Sequence, residues 1–377
     1  MPIKILCVAG ARPNFIKIAP LMRGFAADPL WDARLIHTGQ HYDERLSKVF
    51  FDELAIAPPH LSLAVGSASH AGQTAEIIRR FEPVLEAEQP KAVLVVGDVN
   101  STIACGLVAA KFQLREAFAF RGTTRSRPVL IHVEAGLRSF DDEMPEEINR
   151  RLTDTISDVL FVSEEAGLVN LKREGVEDHR VFLVGNVMID TLLHARDRAK
   201  HSPILSQLGL EAGAYGVVTL HRPSNVDDPT RLVDLLTLLD RIAQRLPLVF
   251  PIHPRTHQRL AACGVTLAAD RWKTIEPVGY LDFMKLQAEA RVVFTDSGGI
   301  QEETTVLGVP CVTLRDNTER PVTILEGTNI LAGTDEAKVL TAFERALSME
   351  RKTALPRYWD GQAAQRICSV LGGLFRS

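Results

Sequence analysis

Three carboxylates stand where short apolar runs give way to polar residues, and their setting suits acid–base chemistry. Asp98 ends the run AVLVVGD, Glu134 lies near the end of VLIHVEAG, and Glu146 follows Met144-Pro145 at a helix start. That helix also carries Glu147, Arg150 and Arg151. Clustered carboxylates push their proton affinities apart, so one can donate a proton while another accepts one. Each has a plainer explanation to beat. Asp98 could cap the helix entry at Val99-Asn100-Ser101-Thr102, and Glu147 suits a capped, salt-bridged helix. Glu134 is harder to dismiss, because fold needs alone rarely place a bare carboxylate at a strand end. Histidines close further runs at His132, His221 and His253. One strand-end histidine is usually structural; three near one expected crevice are less easily set aside. No HxxxH or HExxH pattern occurs, so these acids and histidines are not read as a metal site.

Two stretches look built to receive an anion. In Asp296-Ser297-Gly298-Gly299-Ile300-Gln301-Glu302-Glu303 a strand runs into Ser-Gly-Gly and then into a helix. Glycines let backbone amides approach a ligand closely, and a helix start offers unpaired N–H groups with partial positive charge. Alone this pattern is weak evidence, since tight turns without ligands share it, and acids in a first helical turn suit the helix dipole. Either acid could instead accept the hydroxyls of a ribose. The stretch from Gly10 to Lys17 repeats the design and adds Arg12, a bidentate fork for phosphate, and Lys17, a point charge. Pro13 suits a helix start. The run from Arg121 to Arg127, with three arginines, is the only basic patch, and it reads as a solvated loop before a strand.

The elements that must position these groups are legible as an alternation. Apolar, β-branched runs recur as IKILCVAG, ARLIHTG, AVLVVGD, VLIHVEAG, VLFVS, VFLVG, GVVTLH, LVFPIH, VVFTDSGG and PCVTL. Stretches with helical spacing separate them. Buried strands alternating with helices predict parallel sheets covered on both faces. In open parallel sheets ligands bind beyond the carboxyl ends of the strands, where these polar residues cluster. The series occurs twice, so the expected fold is α/β, with two Rossmann-like doubly wound domains facing across a cleft. The expected division is 1–180 plus 356–377 for the first domain and 181–355 for the second.

The 377 residues suffice for two cores, and 46% hydrophobic with 24% charged residues is an ordinary globular balance. A net charge of −4 gives no global pull toward nucleic acid or an anionic membrane. No run approaches the ~18 apolar residues of a membrane helix, and the opening run Ile3–Ala9 reads as a strand too short for a signal peptide's apolar region. Five cysteines at 7, 105, 263, 311 and 368 lack CxxC spacing, which predicts reduced thiols and a cytoplasmic setting.

The ordered set of motifs resembles the non-hydrolysing UDP-N-acetylglucosamine 2-epimerases over nearly the whole chain. It begins at GARPNFIK, passes through Thr38-Gly39-Gln40-His41, Gly97-Asp98, HVEAGLRS, MPEEINR and GNVMID, and continues in Leu220-His221-Arg222, PIHPRT, DSGGIQEE and RDNTERP. The C-terminal DGQAAQRI resembles the family's closing helix. The resemblance implies a GT-B-like fold whose last helix returns to the first domain, a homodimer, and no nicotinamide cofactor. It implies interconversion of UDP-GlcNAc and UDP-ManNAc, or epimerisation of a related UDP-2-acetamido sugar. Carried over by position, Arg12, His221, Ser297, Gly298 and Arg320 would contact the phosphates beside Gly299, and Glu303 would hold the ribose. Asp98, Glu134 and Glu146 would be the catalytic carboxylates, with Lys17, Arg150 and His221 also needed for activity. Gln40 and His253 match a regulatory site for a second UDP-sugar, but Asp43 and Gly72 depart from it. Asn14 replaces the usual glutamate of the first motif. Two alternatives share much of this pattern: a GT-B glycosyltransferase using a UDP-sugar donor, and a hydrolysing epimerase that releases free ManNAc.

Overall fold

The computed structural model describes residues 2–39, 51, 53–252, 260, 263, 266–351 and 354–376. They form two compact units, Met1–His194 with Arg357–Ser377, and Ala195–Pro356.

The first unit runs β1 (Ile3–Ala9), α1 (Arg12–Ala26), β2 (Trp31–His37), β3 (Leu61–Ser62), α2 (His70–Glu88), β4 (Ala92–Val96) and α3 (Asn100–Lys111). It continues with β5 (Phe118–Phe120), β6 (Thr123–Arg125), β7 (Val129–Ala135), α4 (Pro145–Ile156), β8 (Val159–Val162), α5 (Glu165–Arg173), β9 (Val181–Leu183) and α6 (Val187–Lys200), within which the unit ends. Its main sheet is parallel, in the order β3-β2-β1-β4-β7-β8-β9. Every residue of β4 and β7 is buried, as expected for central strands of a sheet packed on both faces. Leu6, Val8, Val93, Val95 and Leu130 meet Ile77 and Phe81 of α2 and Ala104 of α3 in one core.

The second unit runs α7 (Ile204–Leu208), β10 (Gly216–Thr219), α8 (Pro223–Val226), α9 (Pro229–Ala243), β11 (Leu248–Pro251), β12 (Trp272–Ile275), α10 (Tyr280–Ala288) and β13 (Val292–Thr295). Then come α11 (Gly298–Leu307), β14 (Cys311–Thr313), α12 (Pro321–Leu325), β15 (Asn329–Leu331) and α13 (Glu336–Ser348). Its strands are all parallel in the order β12-β11-β10-β13-β14-β15. Counted within the sheet, that is 3-2-1-4-5-6, the Rossmann order, and the main sheet of the first unit follows it with one strand more. The order reverses beside β1 in one unit and beside β10 in the other. Ligand crevices in such sheets open at that reversal.

The last helix, α14 (Ala363–Arg376), belongs to the first unit and packs against α1. Asp190 of α6 fixes its start, with Oδ1 accepting from Ala363 N at 3.1 Å and Oδ2 from Ala364 N at 2.7 Å. The fully buried Trp359 adds a bond from Nε1 to the Ser163 carbonyl. Among the described residues no helix is long and apolar enough to cross a membrane.

Candidate active site

In the first unit the chemistry gathers at the strand-order reversal between β1 and β4. Asn14 organises the turn after β1: Oδ1 accepts from Gly10 N at 3.1 Å and Ala11 N at 2.9 Å. Its Nδ2 donates to the Val96 carbonyl at 3.1 Å, tying that turn to the end of β4. A carboxylate could accept the two amides but could not donate the third bond, which accounts for Asn at this position. Gly97 has φ +68°, and a Cβ there would lie 2.9 Å from Lys17 Nζ. Both the backbone and the close cation require glycine.

Glu134 sits in a β-bulge. Val133 pairs with Phe161 and Ala135 with Val162, leaving Glu134 as the extra residue, with φ +75°. Left-handed backbone costs a non-glycine residue on the order of 1–3 kcal/mol, and bulges re-aim side chains beside functional sites. Here the side chain meets Lys17, with Glu134 Oε2 2.5 Å from Nζ and both groups buried. Asp98 lies one residue beyond Gly97 and accepts from Arg150 Nε at 2.9 Å, while the Asn149 amide donates to the Asp98 carbonyl. The two glutamates that open α4 separate cleanly. Glu147 is buried and accepts from Ser139 N, Ser139 Oγ, Phe140 N and the Arg150 guanidinium, so it shapes the loop after β7. Glu146 is half-buried, and among the described residues its side chain takes part in no hydrogen bond or ion pair. It stands four residues before Arg150, a spacing that places both on one helix face.

Behind these groups lies a buried relay. His132 bonds through Nδ1 to Asp154 Oδ1 at 2.6 Å and through Nε2 to the Gly97 carbonyl at 2.8 Å. Asp154 Oδ2 accepts from Gly136 N at 3.0 Å and pairs with Arg138 at 2.7 Å. Burial would raise the Asp154 carboxyl, but His132 and Arg138 hold it below the usual carboxylate range. His132 therefore fixes the Gly97 carbonyl next to Asp98.

The second unit places a different set at its own reversal, between β10 and β13. Asp296 is fully buried and accepts from the backbone amides of His221 and Arg222, from Asn225 Nδ2, and from His221 Nδ1 at 2.7 Å. Burial pushes its carboxyl up, yet these donors hold it low. The His221 ring is thereby oriented with its side chain 62% exposed. Ser297 precedes α11, and Ser297, Gly298 and Gly299 are half-buried at the helix start. A Cβ on Gly298 would lie 2.6 Å from Glu319 Oε1, so glycine lets the chain pass close there. Around it Arg320 pairs with Glu302 at 2.5 Å, Arg315 with Glu319 at 2.8 Å, and Arg222 approaches Glu319 at 3.6 Å. Three guanidiniums face Glu302, Glu319 and the ionised Asp296, so the formal charges balance and the positive character here is that of the helix start itself. Glu303 faces the other way chemically. Burial raises its carboxyl to about 7, against opposing bonds from Gln287 and Tyr280. The Gln287 bond measures 2.8 Å.

The structure thus brings Lys17, Asp98, Glu134 and Arg150 to one strand-order reversal, and His221, Ser297, Gly298 and Arg320 to another. Arg12 opens α1, but its side chain is outside the described part. Gln40, Asp43 and His253 lie outside the described residues, and Gly72 is exposed in the first turn of α2. Among the described residues no cluster of three or more His, Cys, Asp or Glu could hold a metal ion. Sequence reasoning gave no role to Asp154, Asp296 or Glu319, which position the groups it did single out; Glu302, offered for the helix dipole or a ribose, instead pairs with Arg320. Asp296 had a signal, as the last residue of VVFTD before the glycines. Asp154 and Glu319 did not, because they act across the sheet or from a neighbouring helix.

Two doubly wound sheets, each carrying its charged side chains at the reversal of strand order, place the chain in the class of Rossmann-type α/β enzymes. More particularly, it belongs to the UDP-N-acetylglucosamine 2-epimerase family, whose model matches residues 24–372. A Methanocaldococcus jannaschii UDP-N-acetylglucosamine 2-epimerase is 40% identical over 376 residues, covering 98% of each chain. A Pseudomonas aeruginosa UDP-2,3-diacetamido-2,3-dideoxy-D-glucuronate 2-epimerase is 37% identical over 375 residues, covering 98% of this chain and 100% of the relative. The crystal structure of Methanocaldococcus jannaschii UDP-GlcNAc 2-epimerase with UDP-GlcNAc and UDP superposes with a TM-score of 0.89 at 39% identity, over 98% of this chain and all of that one.

Proposed function

We propose that this chain inverts carbon 2 of a UDP-2-acetamido sugar, interconverting UDP-GlcNAc and UDP-ManNAc, by eliminating and re-adding UDP. The observation that carries the reading is the Lys17–Glu134 pair, buried at the strand-order reversal beside Asp98, with Glu134 held in a strained bulge.

Carbon 2 bears an amide rather than a carbonyl, so its hydrogen is weakly acidic and simple deprotonation is too slow. Elimination removes that obstacle. A carboxylate takes the C2 proton, the C–H electrons become the C1–C2 double bond, and the C1–O bond breaks with its pair leaving on UDP. The return step protonates C2 from the opposite face as a UDP oxygen rejoins C1. Asp98, Glu134 and Glu146 are the acid–base candidates. The departing diphosphate is assigned to His221, Arg320, Arg12 and the amides at Ser297 and Gly298, preorganised positive groups that need not reorient during the step. Glu303 is assigned to the ribose. Lys17 and Arg150 keep two of the carboxylates in place.

The identity to the Pseudomonas aeruginosa relative supports a second substrate reading, a UDP-2,3-diacetamido uronic acid. Proton NMR of the purified protein with each UDP-sugar, and no acceptor, decides between them. The proposal expects a C2 epimer with UDP still attached. Release of free sugar and UDP would indicate hydrolysis, and no change without an acceptor would indicate a transferase. The same reading carries a cytoplasmic homodimer, which light scattering on the eluting protein and cell fractionation test.

A further inference from the structure

The basic run at Arg121–Arg127 is not a solvated loop. It forms the antiparallel ribbon β5–β6, paired Phe118 to Arg125 and Phe120 to Thr123, and its arginines line a cavity of about 530 Å³. The other walls come from residues just before the main-sheet strands. Arg127 precedes β7, Asp158 precedes β8, and Arg180 precedes β9. The cavity therefore lies at the amino edge of the first unit's sheet, while Asp98 and Glu134 lie at the carboxyl edge.

Its charges do not cancel. Asp158 is saturated: it accepts from Arg125 at 2.5 Å, from Arg127 at 2.9 and 2.8 Å, and from Leu130 N at 2.9 Å. It cannot serve Arg121 or Arg180. Arg180 spends one nitrogen on the carbonyls of Thr155 and Ser157, and its Nε is buried without a hydrogen-bond partner among the described residues. Arg121 spends one nitrogen on the His179 carbonyl at 2.9 Å and lies over the Phe120 and Phe182 rings. Four arginines against Asp158 and Glu177 leave a formal +2 in a chain whose net charge is −4. Burial, with the like charges of Arg125 and Arg180, lowers the Arg121 guanidinium from its ordinary value, against an opposing pull from Asp158.

The backbone supplies an independent sign. Arg121 has φ +51° at the tip of the ribbon, next to Gly122 at φ +66°. Such paired left-handed residues in a hairpin turn favour Asn, Asp or Gly, so arginine is held there against local preference. Strain kept at a charged position points to a task for the side chain.

We infer that this cavity binds a small phosphorylated anion of the diphosphate class, gripped by the guanidiniums of Arg121 and Arg180. Planar guanidinium forks match phosphate oxygens two at a time, and two neighbouring forks lining one cavity suit two phosphoryl groups. The volume falls in the range of small-molecule sites and exceeds what a bare phosphate fills, leaving room for a substituent on the diphosphate.

The test is calorimetric titration of the full-length protein with inorganic pyrophosphate, with UDP saturating the substrate site. Native protein should bind one pyrophosphate per chain, more weakly as salt rises. Arg180→Gln should weaken binding at least tenfold. So should Arg121→Gly, which relieves the left-handed strain and should melt no lower than native protein. Epimerisation by both variants should match native turnover. No pyrophosphate binding by native protein, or equal affinity in Arg121→Gly, would overturn the inference. Because the comparison is native against variant at this cavity, it reads out even if the substrate assignment above is wrong.

Discussion

Glu134 reaches Lys17 from a β-bulge at φ +75°, and the two charged groups lie 2.5 Å apart in a buried setting. A bulge in the strand thus joins β7 to α1 across the intervening β4, and the price of that geometry is local strain. Removing one partner of a buried pair leaves an unpaired charge, which costs about 3–5 kcal/mol. Glu134→Gln should therefore lower stability by about that much in urea unfolding and abolish epimerisation. The double variant Lys17→Met/Glu134→Gln should regain most of the stability and none of the activity. Recovery of activity in the double variant would remove Glu134 from the chemistry.

Glu146 and Glu147 are neighbours with opposite expected behaviour. Glu146→Gln should leave stability within about 0.5 kcal/mol of native, as for a side chain without partners, while turnover falls by about 10²-fold or more. Glu147→Gln disturbs the bonds to Ser139, Phe140 and Arg150 and should cost stability first. Thermal melts alongside initial rates separate the two. The reverse pattern would exchange their roles.

Gly298→Ala tests the helix start in the second unit. The new Cβ would meet Glu319 Oε1 at 2.6 Å, and Glu319 is itself held by Arg315. The strain falls on the amides assigned to the diphosphate. Calorimetry should show UDP binding about tenfold weaker, roughly 1.4 kcal/mol. Unchanged UDP affinity would place the nucleotide elsewhere.

Glu303 predicts a pH dependence of stability. Its folded-state value of about 7 lies above the ordinary 4.5, so between those values the fold holds a proton the unfolded chain has lost. The stabilisation is complete below about 4.5 and disappears as pH rises through about 7. Asp190, raised by burial to about 6, adds a slope of the same sign. Glu303→Gln should flatten the fall in melting temperature across this window, and the difference from native protein isolates Glu303. Parallel curves would mean that Glu303 is ionised throughout.

The sequence made the central strands legible because they are apolar on both faces. β1, β2, β4, β7, β8, β10, β11, β13 and β14 all coincide with recognised runs, and β9, half-buried at a sheet edge, was legible too because its run VFLVG is apolar. The sequence hid β3, β12 and β15, which lie at sheet edges and need no long apolar run, and the β5–β6 ribbon, which stands apart from both sheets. The candidate acids were visible because Asp98 and Glu134 stand at strand ends and Glu146 opens a helix. What positions them was not. The bulge at Glu134 depends on register with β8, and the His132–Asp154 contact joins residues 22 apart in sequence. The arginine-rich run between Arg121 and Arg127 carries the charge pattern of a surface loop, and only pairing with β5 gives it a cavity to line.

The elimination and re-addition route makes a joint demand: the C2 hydrogen must exchange with solvent during inversion, and the product must still carry UDP. Incubation with UDP-GlcNAc in deuterium oxide, followed by proton NMR, reads this directly. The account predicts that the epimer forms with deuterium at carbon 2 and UDP still attached. An epimer that keeps its original C2 hydrogen would contradict it.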